Sequence, residues 1–95
     1  MNNEIKNKIE NEKTYLMEKY RISKIGIFGS FARGEETANS DVDILVEFTS
    51  VPDLFEFFEI EEYLEKLLHK KIDLVRENAI KHQIKDQIMS EVQYI

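Results

Sequence analysis

The sequence contains no cysteine. That excludes disulfides and thiolate metal sites and leaves oxygen or imidazole as metal ligands. It also accords with a reducing compartment. Histidine is scarce as well. His69 and His82 stand alone and far apart, so no zinc site is expected and both are read as surface residues. No apolar run approaches the roughly 18 residues of a membrane span. The N-terminal residues carry no apolar segment of the kind that marks a signal peptide. Positive charge is in deficit, with 13 Lys and Arg against 19 Asp and Glu, a net charge of −6. Tight non-specific binding to nucleic acid needs clustered positive charge, so nucleic acid is not an expected partner. Partners with basic surfaces, or ligands bound through metal, suit the chain better. The expected location is the cytoplasm.

What is present is enough for a fold. Ninety-five residues, 42% hydrophobic with four Tyr and six Phe, describe one ordered domain spanning residues 1–95 rather than a disordered chain. Residues 3–20 read as an amphipathic helix, with Ile5, Ile9, Leu16 and Tyr20 on one face. Lys24 to Phe28 is too short and too apolar for a helix and reads as a strand ended by Gly29. Ser30 to Arg33 reads as the first turn of a short helix stopped by Gly34. A polar loop, Glu35 to Ser40, leads to a second strand over Asp41 to Phe48. Its alternation puts Val42, Ile44, Val46 and Phe48 on one face and Asp41, Asp43, Leu45 and Glu47 on the other.

The single proline, Pro52, is expected at a helix start. From there Leu54, Phe57, Phe58, Leu64, Leu67 and Leu68 recur at helical spacing up to His69, and at least two of Phe55, Phe57 and Phe58 are expected in the core. Lys71 to Val75 reads as a third strand, flanked by Lys70 and Lys71 as solvated charges. Ile80, Ile84, Ile88 and Val92 step by four along a final helix. Strands interleaved with helices predict an α/β (α+β) fold: a small mixed sheet of about three strands with helices packed over it.

The chemistry lies at two places. Asp41 and Asp43, two residues apart on a strand, project from the same face about 6.6 Å apart along it. Such carboxylates repel unless a cation sits between them, and oxygen ligands without sulfur or imidazole favour Mg²⁺ or Mn²⁺. Alone, the pair is weak evidence and reads first as solvated charges at a strand end. Asp73 adds weight, because it sits in an apolar strand between Ile72 and Leu74. If the second and third strands are neighbours, it completes a triad; otherwise it is an edge residue facing water. The other place is the turn. Gly29 lets backbone N–H groups approach a ligand, Ser30 supplies a hydroxyl, and Arg33 offers a guanidinium fork to phosphate oxygens. The alternative is an ordinary turn with Ser30 as helix N-cap. Arg76, just past the third strand, is a weaker candidate for nucleotide contact. Phosphates held at a turn beside metal on the next strand match in-line displacement at a nucleotide α-phosphate.

Gly29-Ser30-Phe31-Ala32-Arg33-Gly34, a five-residue loop and Ser40-Asp41-Val42-Asp43-Ile44 resemble the signature of the DNA-polymerase-beta-like nucleotidyltransferases. More narrowly, the chain resembles the minimal nucleotidyltransferase (MNT) domain proteins over nearly its whole length. The resemblance implies that Gly29 and Ser30 bind nucleotide phosphates and that Asp41, Asp43 and Asp73 are metal-binding catalytic acids. It implies Mg²⁺ or Mn²⁺ as cofactor and ATP as substrate. It also implies a HEPN-domain ribonuclease toxin as partner, whose tyrosine receives AMP and whose antitoxin this chain would be. Two other readings stay open: an antitoxin that neutralises by contact alone, and a nucleotidyltransferase acting on tRNA.

Overall fold

A computed structural model describes residues 3–95. In chain order these form α1 (Asn3–Tyr20), β1 (Ile22–Phe28), α2 (Ser30–Arg33), β2 (Val42–Phe48), α3 (Leu54–Leu68), β3 (Ile72–Arg76), a 3₁₀ turn (Glu77–Ala79), α4 (His82–Glu91) and β4 (Gln93–Tyr94). The strands lie in the order β3-β2-β1-β4. β1 runs antiparallel to both β2 and β4, whereas β2 and β3 are parallel. The class is the expected mixed α/β, with four strands in place of three.

One face of the sheet is apolar because alternation makes it so. Val42, Ile44, Val46 and Phe48 point to it from β2, joined by Ile25 and Ile27 from β1 and by Ile72 and Leu74 from β3, all buried. α1 contributes Ile5, Ile9, Leu16 and Tyr20, and α3 contributes Ile60, Leu64 and Leu68. These side chains form one continuous core. The opposite face carries Asp43 and Glu47, half-buried, around a wholly buried Leu45.

α3 differs in detail from its expected form. Asp53 is the N-cap, its carboxylate accepting the Glu56 N–H at 2.8 Å, and Pro52 stands one residue before it rather than in the first turn. The core stripe is Ile60, Leu64 and Leu68, with Phe57 and Leu67 partly buried beside it. Leu54, Phe55 and Phe58 are exposed, Phe55 at 88%. At about 100° per residue Phe58 lies well round the helix from Ile60, so only one of the three phenylalanines packs on the core. The helix ends at His69, in the left-handed region at φ 54°.

The last helix also departs from expectation. None of its residues is fully buried, and Ile84 is 48% exposed. The helix begins only at His82 and ends at Glu91, so Ile80 and Val92 lie outside it and Ile84 and Ile88 alone cannot form a core stripe. Beyond Glu91 the chain straightens into β4, which pairs with β1 through Gly26↔Tyr94 and Ile27↔Gln93. A two-residue strand has no alternation to read. Gly26 is buried there because the returning chain needs its space: a Cβ would lie 2.9 Å from Val92 Cγ2 and 3.1 Å from the Gln93 carbonyl oxygen.

Candidate active site

The site lies where β1 ends, β2 begins and β3 runs alongside. Asp43 is the register partner of Phe28 on β1 and of Asp73 on β3. In a parallel pair, register partners project to the same face from strands about 4.8 Å apart. Asp73 is thus a neighbour of Asp43, as the triad requires, though it is exposed to solvent. Asp41 is also exposed and lies immediately before β2. The loop before it is pinned by the Thr37 N–H donating to Ser40 Oγ at 2.8 Å and the Ser40 N–H donating to the Thr37 carbonyl at 3.1 Å.

Burial, then the negative charges of Asp73 and Asp41, push the Asp43 carboxyl up to about 6, against a smaller opposing effect of Arg33. Ionising a half-buried carboxyl among like charges costs free energy, and a bound cation would offset that cost. An all-oxygen donor set with surplus negative charge fits a hard divalent cation. Among the described residues, no three acid or imidazole side chains draw together tightly enough to enclose an ion. Asp43 feels the charge of both Asp73 and Asp41, but the three do not form the tight triad expected from the sequence.

The turn meets the aspartates directly. Gly29 is buried at φ 74° and ψ −152°, a conformation essentially reserved for glycine. A Cβ on Gly29 would collide with the Asp43 carboxylate. The N-cap of α2 is Gly29, and no side chain caps it. Ser30, half-buried as a residue, is therefore the first helical residue and not the N-cap of the alternative reading. Gly34 closes α2 in the left-handed conformation, at φ 72°.

Arg33 donates from Nε to Glu35 Oε1 at 3.0 Å and from Nη1 to Glu91 Oε2 at 2.8 Å. Hydrogen bonds from Arg33 to Glu91 first and Glu35 second raise its pKa. The Gly29 N–H donates to the other oxygen of Glu91 at 3.2 Å. Nothing in the sequence marks Glu91. It stands 62 residues from Gly29, in a helix whose acids look like ordinary solvated charges.

Arg76 does not reach the turn. Its guanidinium donates twice to Glu47 Oε1, at 3.2 and 3.0 Å, while the Asn78 N–H donates to Glu47 Oε2 at 3.1 Å. Burial alone would push Glu47 up, but hydrogen bonds from the Phe48 N–H, Arg76 and the Asn78 N–H outweigh it and hold Glu47 low. Arg76 is thus an anchor of β3 to β2. His69 and His82 are exposed, as expected.

The model of the nucleotidyltransferase domain matches residues 9–95. The chain belongs to the nucleotidyltransferase family. The protein adenylyltransferase MntA of Thermococcus cleftensis is 44% identical over 92 residues, spanning 97% of this chain and 93% of the relative. A crystal structure of a toxin–antitoxin with AMP-PNP superposes with a TM-score of 0.74 at 25% identity, covering 90% of this chain and 70% of that one. A tri-AMPylated Shewanella oneidensis HEPN toxin in complex with MNT antitoxin shares the fold, with a TM-score of 0.68 at 21% identity over 95% of this chain and 70% of the other. No helix among the described residues is long and apolar enough to cross a membrane.

Proposed function

We propose that this protein transfers AMP from ATP to a tyrosine of a HEPN-domain ribonuclease toxin in the cytoplasm, and so acts as its antitoxin. The observation that carries the reading is the register match of Asp43 with Asp73 beside the Gly29 turn. Support comes from the adenylyltransferase named at 44% identity and from the toxin–antitoxin assembly that holds AMP-PNP.

In this mechanism Gly29 N–H, the Ser30 hydroxyl and the Arg33 guanidinium bind the phosphates. Asp41, Asp43 and Asp73 would hold Mg²⁺ or Mn²⁺. When bound, the metal neutralises phosphate charge and lowers the pKa of the attacking hydroxyl. Asp73, whose side chain is exposed, would take the tyrosine proton on the acceptor side. The tyrosine oxygen forms a bond to the α-phosphorus, the bond to the bridging oxygen breaks, and pyrophosphate leaves.

Exposed Leu54, Phe55 and Phe58 favour a second reading, neutralisation by contact alone. The mass of a co-expressed HEPN partner, with and without ATP and Mg²⁺, separates the two. An added AMP that appears only with both supports transfer. An unmodified toxin that stays silent only while bound would leave the contact reading.

A further inference from the structure

Glu91 occupies an anion's place. One carboxylate oxygen accepts the Gly29 N–H at 3.2 Å and the other accepts Arg33 Nη1 at 2.8 Å. Two of the three groups assigned to phosphate are therefore engaged by a side chain of this same protein. The Glu91 side chain is only 15% exposed, against 41% for Arg33, so the contact is sheltered on the Glu91 side. The chain that follows is fastened across the turn. The Gln93 side-chain amide donates to the Ala32 carbonyl at 3.2 Å, and the Ile95 N–H donates to the Ile25 carbonyl at 2.9 Å.

A backbone N–H has one hydrogen to give, so Gly29 cannot fully serve Glu91 and a phosphate together. A polyphosphate lodged beside both Glu91 and Asp43 would meet two like charges where it needs donors. We propose that Glu91 is an internal anion that holds the phosphate seat of the Gly29–Arg33 turn, and that the phosphates of an incoming nucleotide displace it. This rests on the nucleotidyltransferase reading above. The end of α4 then acts as a strap. It satisfies the turn's donors in the empty enzyme and lifts when the nucleotide takes them.

The test is calorimetric titration with Mg-ATP, and separately with inorganic tripolyphosphate, of the wild type, Glu91→Gln and Glu35→Gln. Glutamine keeps the shape of the strap but removes its charge. Glu91→Gln is expected to bind both probes roughly three- to tenfold more tightly, the scale of one lost ion-pair competitor. Glu35→Gln neutralises a carboxylate that touches Arg33 but not Gly29, and is expected to change affinity by less than twofold. Equal gains in the two variants would reduce the effect to net charge and overturn the proposal. Weaker binding by Glu91→Gln would make Glu91 a fastener of the turn and overturn it too. Wild-type binding with no gain in Glu91→Gln sinks this inference alone, whereas no binding by any of the three sinks the proposed AMP transfer with it. Hydrogen exchange on the wild type covers the case of a variant that fails to fold. Amides of residues 88–95 are expected to exchange faster when Mg-ATP is added, and slower or unchanged exchange would overturn the strap.

Discussion

At Gly29 the backbone torsions and the neighbouring carboxylate both exclude a side chain. Gly29→Ala is expected to destabilise the fold by about 1–3 kcal/mol from backbone strain and to abolish ATP binding by pushing Asp43 aside. Urea unfolding and calorimetry measure the two effects. Ser30→Ala should leave stability nearly unchanged and weaken Mg-ATP binding by about 1–3 kcal/mol, as for a hydrogen bond to a charged group. Asp43 adds a pH dependence. Its folded-state pKa, about 6, lies above the unfolded carboxylate value. Its contribution to stability is therefore full below about pH 4 and is lost as pH rises through about 6. With EDTA present at pH 7.5, Asp43→Asn should raise the melting temperature by a few degrees, corresponding to about 1 kcal/mol once solvent screening is allowed for. At pH 4 the gain should vanish, and a melting curve shifted equally at both pH values would contradict this origin. These residues were legible in the sequence because a turn and a strand's alternation are local patterns. Glu91 was not, because its meeting with Gly29 is made only by the return of the chain as β4.

At the scale of elements, Asp53 and Gly26 make contrasting tests. Asp53→Ala removes the α3 cap and should cost about 1 kcal/mol without touching the site, seen as a lower unfolding midpoint with unchanged ATP affinity. Gly26→Ala puts a methyl group against Val92 and the Gln93 carbonyl. It should lower stability by about 1–3 kcal/mol through overpacking and loosen β4, with faster hydrogen exchange at the Ile95 amide. α1, the first three strands and α2 could be read from periodicity and punctuation to within two residues at each end. β4 and the orientation of α3 could not. The first is too short to have a period, and the second depends on which side of an apolar-rich helix the sheet meets. Leu54 and Phe58 fall outside that meeting.

For the whole molecule, the decisive comparison is between removing charge and removing contact. Asp41→Asn combined with Asp43→Asn preserves the outer surface of α3, where Phe55 and Phe58 are exposed. The double variant is expected to associate with the toxin yet leave its mass unchanged. Once the two are separated, toxin treated with wild type and Mg-ATP should remain silent, while toxin treated with the variant should regain ribonuclease activity. Full and lasting neutralisation by the variant would remove catalysis from the account.

The parallel pairing of β2 with β3 has a further consequence. Ile72 and Leu74 are buried and Asp73 between them is exposed. A slip of one residue along β3 would turn Asp73 into the apolar core and send its neighbours out to water. The cost of burying that charge excludes the slipped form. The placement of Asp73 beside Asp43 is therefore enforced by the same packing that folds the chain.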